Sequence, residues 1–159
     1  PVVYQGSETG FMRGTAEHSG NRNYYGQDNV DKAPQHRIYQ SLSAIAHVRK
    51  ATPALQRGLQ TMLELNGEKA AFYRVVMDDS AQQTALVLLN KGDTPVSFEI
   101  AEYMQNGRWS EQLSGSEKEV NNRVLTSEVS PHSVQVWLRD GPLSDDHFIQ
   151  HLHEQIANQ

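Results

Sequence analysis

Between residues 58 and 138 apolar and polar side chains alternate with a period of two, the repeat of a strand rather than of a helix. The runs that carry it are 59–65, 70–77, 84–90, 95–100, 107–113, 123–127 and 133–138. Turn-forming steps separate them: Asn66-Gly67, Asp78-Asp79-Ser80, Lys91-Gly92-Asp93, Asn106-Gly107 and Ser114-Gly115-Ser116. Ala85-Leu86-Val87-Leu88-Leu89 is apolar at every position, which predicts a central strand covered on both faces. Val96, Phe98 and Ile100 alternate with Ser97 and Glu99, so that strand has one wet face. Val134, Val136 and Leu138 alternate against Ser133, Gln135 and Trp137. No helical pattern comes between the runs, as a parallel sheet would require. The pattern therefore predicts an antiparallel sandwich.

The flanks follow other rules. Pro1-Val2-Val3-Tyr4 is a β-forming run apolar on both faces, as a buried parallel strand requires. Nothing before it in this sequence can pair with it, so its partners are expected upstream of Pro1. A polar loop is predicted over 6–32, carrying Phe11, Tyr24 and Tyr25; such a long loop in a compact domain is usually functional. A helix is predicted over 34–51. Pro34 suits its first turn, Ile38, Leu42, Ile45 and Arg49 share a face flanked by Ser41 and Val48, and Arg49 and Lys50 complement the dipole of its last turn. Residues 53–57 read as one further turn capped by Gly58. After Asp140-Gly141-Pro142 a terminal helix is expected. Ser144 is placed to cap it, Asp145 and Asp146 favour its N-terminus, and Phe148, Ile149, Leu152 and Ile156 form an apolar stripe that packs on the sandwich or on a second subunit.

The 159 residues suffice for one domain, or for one domain and a piece of another. A net charge of −5 leaves no basic footprint for nucleic acid. The absence of cysteine excludes a disulfide scaffold and a thiolate metal site. No apolar run is long enough to cross a bilayer, so neither nucleic acid nor membrane is an expected partner. There is no glycine-rich phosphate loop and no Ser/His/Asp set at an elbow.

Several segments, taken in order, resemble the α-amylase family, glycoside hydrolase family 13. Pro1-Val2-Val3-Tyr4-Gln5-Gly6-Ser7-Glu8 is similar to that family's last barrel strand. Asn21-Arg22 resembles the end of an Asp-Pro-x-Asn-Arg loop of cyclodextrin glucanotransferases and their close amylase relatives. Residues 38–58, including Leu42-Ser43-Ala44-Ile45-Ala46-His47-Val48-Arg49-Lys50, resemble the eighth barrel helix and its exit. Phe72-Tyr73-Arg74, Leu86-Val87-Leu88-Leu89-Asn90 and Val129-Ser130-Pro131-His132-Ser133-Val134-Gln135-Val136-Trp137 resemble strands of the family's C-terminal β-sandwich, domain C.

The fold implied is mainly β. An antiparallel sandwich over 58–139 is preceded, over 1–57, by the last β-strand and helix of a (β/α)8 TIM barrel, and followed by a terminal helix over 140–159. The activity implied is retaining cleavage of α-1,4 bonds in starch or maltooligosaccharides, which needs two carboxyl groups about 5–5.5 Å apart. By the same resemblance these lie upstream on earlier strands, at the C-terminal ends where barrel active sites sit. This chain then holds no catalytic residue, is inactive alone, and has the α-glucan and the rest of the barrel domain as partners. No cofactor is expected in it; calcium is possible in the parent enzyme. The location implied is periplasmic or extracellular. A cyclodextrin glucanotransferase-type transglycosylase is the alternative activity. Those enzymes usually carry further β-domains, whereas this chain closes on a helix, so hydrolysis is expected first. A rival of another class is a non-catalytic module for packing or carbohydrate contact.

The candidate site residues follow from this resemblance. Arg22 offers five fixed donors to sugar hydroxyls, or is a solvated loop arginine. Asn21 precedes it, and His18 stands where the family has its Asp, so the charged pair of the motif is replaced; Glu17 lies one residue earlier. Tyr24 and Tyr25 stack on glucose rings or anchor the loop. Tyr4 and Glu8 belong to the barrel strand and its exit, Glu8 facing the cleft or bonding loop backbone. Trp109 and Trp137 read first as packing residues. His147, His151 and His153 lack an acid ligand at metal-binding spacing, so no metal site is assigned.

Overall fold

A computed structural model describes residues 6–10 and 26–157. The predicted strand over 1–4 and most of the polar loop lie outside them. The chain divides into two compact units, Pro1–His47 and Val48–Gln159.

In the first unit Ser7–Thr9 form one tight turn between Gly6 and Gly10. Both glycines are left-handed, at φ 86° and 60°, a region side chains with a Cβ avoid. The Thr9 hydroxyl and N–H both donate to the Gly6 carbonyl. Helix α1, Gln27–Lys32, occupies the end of the segment predicted as loop. Its sequence QDNVDK puts Asp28 in the first turn and Lys32 in the last, matching the dipole, and Gln27 donates to Asp31 one turn on at 2.8 Å. Helix α2 is Arg37–Ala51 and starts later than predicted. Pro34 sits instead in a separate turn, Ala33–Gln35. His36 is extended, and its Nδ1 accepts the Ile38 N–H, so it begins α2 as a cap. Ile38, Leu42 and Ile45 are exposed at 43%, 37% and 44%, whereas Val48, read as a flanking position, is buried.

The second unit contains the sandwich. Its larger sheet has the order β1-β2-β3-β8-β5-β6, and β4 pairs with β7 in a second sheet. The strands are β1 Leu59–Asn66, β2 Lys69–Asp78, β3 Ala81–Asn90, β4 Val96–Ile100, β5 Gly107–Glu111, β6 Glu117–Val120, β7 Leu125–Val129 and β8 Ser133–Asp140. All ladders are antiparallel, as expected. The all-apolar strand, β3, lies between β2 and β8, and Ala85 to Leu88 are buried. Leu86, Leu88, Tyr73 and Trp137 face a core that Phe98, Ile100, Leu125 and Val129 close from the smaller sheet. Burial pushes the Tyr73 hydroxyl well above its ordinary pKa, and it donates to the Glu102 carbonyl.

Differences from the sequence pattern have local causes. Strand β6, with sequence Glu-Lys-Glu-Val, shows little apolar character because it is an edge strand, and charge on an edge discourages further pairing. Strand β7 starts at Leu125 rather than 123, because Arg123 has φ 56° and cannot extend. Strand β5 stops at Glu111, whose carboxylate accepts the N–H groups of Leu113 and Ser114 and curls the chain, while also accepting the Val136 N–H of β8. In β8 both residue sets are covered: Trp137 faces the core, and Val134, Val136 and Leu138 face a second cluster with Ala54, Leu55 and Val76. Helix α3, Pro53–Arg57, forms that outer cover. Gly58 does not cap it in the left-handed manner expected, since its φ is −67°. Glycine is needed there for close approach: a Cβ would lie 2.5 Å from the Ala54 carbonyl and 2.8 Å from that of Val75.

Helix α4, Asp146–Ala157, covers the part of the inner face that two strands cannot reach. Phe148 and Leu152 are fully buried in the same core, with Tyr103 stacked on Phe148 at 4.4 Å. The terminal helix thus packs on the sandwich. Only part of its predicted stripe is buried, because Ile156 is 54% exposed. Its cap is Asp145, which accepts the Phe148 N–H at 2.9 Å and pairs with Arg123. Ser144 is drawn away to the Gln105 side chain. No helix among the described residues is long and apolar enough to cross a membrane.

Candidate functional site

Of the candidate residues that precede residue 26, Glu8 alone is described; Tyr4, His18, Asn21, Arg22 and Tyr24 lie outside the described residues, as do Glu17 and Tyr25. Glu8 occupies the tight turn between Gly6 and Gly10 and is half-buried. Gly10 approaches Ile38 Cδ1 to 3.6 Å, measured from where a Cβ would stand, so the turn sits against the start of α2. Local sequence explains this shape. Two left-handed glycines reverse the chain within five residues, and the Thr9 bonds to Gly6 lock the reversal. The result presents one carboxylate on a fixed backbone. A single carboxylate can orient or bind a sugar, but double displacement needs a pair.

The two tryptophans do not form a surface sugar platform. Trp109 is wholly buried and donates from its ring N–H to the Gln105 carbonyl; Trp137 is 2% exposed and donates to Gln135. His151 is half-buried and stacks on Tyr103 at 5.6 Å, so its ring is a packing element. Among the described residues no group of three or more His, Cys, Asp or Glu could hold a metal ion, so none is assigned to calcium. A shallow cleft of about 520 Å³ opens on the outer face of the larger sheet, between Leu65, Leu89 and Val134, with Lys69, Lys91 and His132 at its rim. It presents aliphatic rather than aromatic surface.

Among the described residues the carboxylate most perturbed by its surroundings, Asp78, is structural. Asp78 Oδ1 accepts the Ser80 hydroxyl at 2.6 Å and the Ser80 and Ala81 N–H groups at 2.9 Å each, while Arg57 binds Oδ2 at 3.2 Å. These bonds, the Ser80 hydroxyl first, pull its pKa from 3.8 to about 2. A general acid requires the opposite shift. The bonds tie α3 to the β2–β3 hairpin. They favour the ionised form in the folded state, so their stabilisation is complete above pH 3.8 and is lost as pH falls toward about 2. Asp78→Asn is therefore expected to be less stable than wild type at neutral pH, with the gap shrinking across that acid interval. Melting temperatures measured against pH check this; a gap that stays constant with pH would show that the charge contributes nothing.

The polar residues that hold these loops were not singled out by sequence pattern. Gln105 accepts from Ser144, and buried Asn90 donates to the carbonyls of Thr94, Val129 and Ser130. The only sequence signal they carry is a polar residue at the end of an apolar run.

The geometry matches known proteins. The chain is 28% identical over 142 residues to the Beta/alpha-amylase of Paenibacillus polymyxa, covering 87% of this chain and 11% of that protein. The α-amylase of Geobacillus thermoleovorans, solved with acarbose, superposes with a TM-score of 0.66 at 17% identity, over 86% of this chain and 29% of the amylase. CldA, a cyclomaltodextrin glucanotransferase with a three-domain ABC distribution, superposes with a TM-score of 0.63 at 20% identity, over 89% of this chain and 29% of its own. No family model matches. This chain spans about a tenth of the length of the curated relative and under a third of each solved structure. By sequence likeness and by fold, it resembles the C-terminal part of α-amylase-family enzymes, glycoside hydrolase family 13.

Proposed function

We propose that this chain is the C-terminal part of a retaining α-glucan glycosidase that cleaves α-1,4 bonds in starch or maltooligosaccharides. The observation that carries the proposal is the reach of the likeness to the Beta/alpha-amylase. At 87% of the chain it is too long to be confined to the sandwich and must enter the first unit. In this reading residues 1–57 are the last strand and helix of a (β/α)8 barrel, 58–139 the sandwich domain beside it, and 140–159 its terminal helix. The catalytic carboxylates belong to the rest of the barrel, as does any calcium site, and the parent protein is exported.

The chemistry proposed for the parent is double displacement. One carboxylate attacks the anomeric carbon as the other protonates the leaving oxygen, and water then opens the glycosyl-enzyme with the second group acting as base. The contribution of this chain is binding. Arg22 and Asn21 donate to a glucose unit, His18 stands beside them in place of the motif's Asp, Tyr24 offers a ring face, and Glu8 and Tyr4 border the cleft. Fold alone does not separate hydrolysis from transglycosylation, since an amylase and a glucanotransferase superpose almost equally well. The three-domain form of that glucanotransferase also removes domain number as an argument between them.

The parent protein, supplied with a linear maltooligosaccharide, is expected to release products of α configuration, read by NMR before mutarotation. Products of β configuration would overturn the retaining mechanism. Cyclic products would transfer the proposal to the glucanotransferase reading.

A further inference from the structure

The chain contains two Asn-Gly steps in the sandwich, Asn66-Gly67 and Asn106-Gly107, and the fold treats them differently. We propose that Asn66 is a site of spontaneous deamidation, left open by the β1–β2 turn, and that the fold closes the same reaction at Asn106.

The chemistry needs the main-chain nitrogen of the following residue to reach the side-chain carbonyl carbon. At Asn66 the Gly67 nitrogen attacks Cγ, the N–Cγ bond forms, the Cγ–Nδ2 bond breaks, and ammonia leaves with the amide proton. Water then opens the cyclic imide at one carbonyl or the other, giving aspartate or isoaspartate. Attack requires the Asn side chain to rotate freely and the following N–H to be unengaged.

Both conditions hold at the β1–β2 turn. Asn66 pairs with Lys69 across a turn made of Gly67 and Glu68, and Asn66, Gly67 and Glu68 are all exposed. Gly67 has φ 54°, and a Cβ built on it meets nothing within 4 Å, so no neighbouring chain crowds the step. Among the described residues neither the Asn66 carboxamide nor the Gly67 N–H has a hydrogen-bond partner. The turn is anchored one residue further on, where the Glu68 carbonyl accepts the Lys91 N–H at 2.8 Å, and that anchor does not restrain the reacting peptide.

At the other step the carboxamide is held. Asn106 Oδ1 accepts the Arg123 N–H at 2.8 Å, and its main-chain carbonyl accepts Arg139 Nε at 3.2 Å. Gly107 is already part of β5, paired with Val120. Rotating the side chain into reach would break the bond to Arg123, which in turn holds Met104 and Asp145.

The product would matter locally. Isoaspartate adds a methylene to the main chain and displaces the Asn66–Lys69 pairing. Either acid also places a new carboxylate beside Lys69, which already pairs with Glu64 at 2.7 Å. The turn forms one wall of the outer cleft, through Leu65, Gly67 and Lys69.

The test is peptide mapping by mass spectrometry after incubating the folded chain in mildly alkaline buffer. Conversion at Asn66 is expected to exceed that at Asn106 by about tenfold or more, the factor that a modest local opening free energy imposes. Asn66→Gln should remove the fast conversion. In urea, where the fold is lost, the two steps should convert at similar rates. Equal rates in the folded chain would overturn the proposal, and so would a preference for Asn66 that persists in urea.

Discussion

Phe148→Ala is expected to cost the second unit about 3–5 kcal/mol, the usual result of removing a fully buried aromatic ring. The size of the effect follows from the mismatch between the sheets. The larger sheet has six strands and its partner two, so part of the inner face has no strand opposite it. Helix α4 takes the place of the missing strands, and Phe148 and Leu152 are the side chains it inserts. The ring lies against Tyr73 at 5.3 Å and Tyr103 at 4.4 Å, so its loss opens a cavity between two elements instead of at an edge that can collapse. Ile156→Ala, on the same helix but 54% exposed, should change stability by less than about 0.5 kcal/mol. Urea unfolding of both variants measures this. A loss below about 1 kcal/mol for Phe148→Ala would mean that α4 is an ornament on the sandwich and not part of its core.

Period-two alternation made most of the sandwich legible, because each strand has at least one face whose environment is uniform. It failed where strand character has another origin. The edge strand Glu117–Val120 buries one residue, so its pairing with β5 leaves almost no apolar trace. Glu111 could not be told from a surface acid, yet it is 3% exposed and joins β5, β8 and the following turn through its carboxylate. The terminal helix was legible as a helix. Its cap was not, because Ser144 and Asp145 are both good caps, and Gln105, distant in sequence, decides between them by engaging Ser144. The apolar face of α2 was legible as a face, whereas the exposure of Ile38, Leu42 and Ile45 along it was not.

The candidate site was legible only through likeness to a family. Nothing in composition or spacing distinguishes Arg22 from an ordinary loop arginine, since the role proposed for it depends on a sugar placed by residues elsewhere. Glu8 illustrates the converse. Its turn is dictated locally by Gly6, Thr9 and Gly10, so its geometry follows from the sequence while its function does not.

The largest functional effect expected is a complete one. Retaining cleavage divides its work between two carboxyl groups, and in the function proposed above both lie outside this chain, which would then lose the reaction entirely. The measurement is the release of reducing ends from maltooligosaccharides by the purified 159-residue chain and by its Glu8→Gln variant. The account predicts no turnover above buffer for either. Turnover by the chain that disappears in Glu8→Gln would contradict it, because the catalytic carboxylate would then lie in this chain.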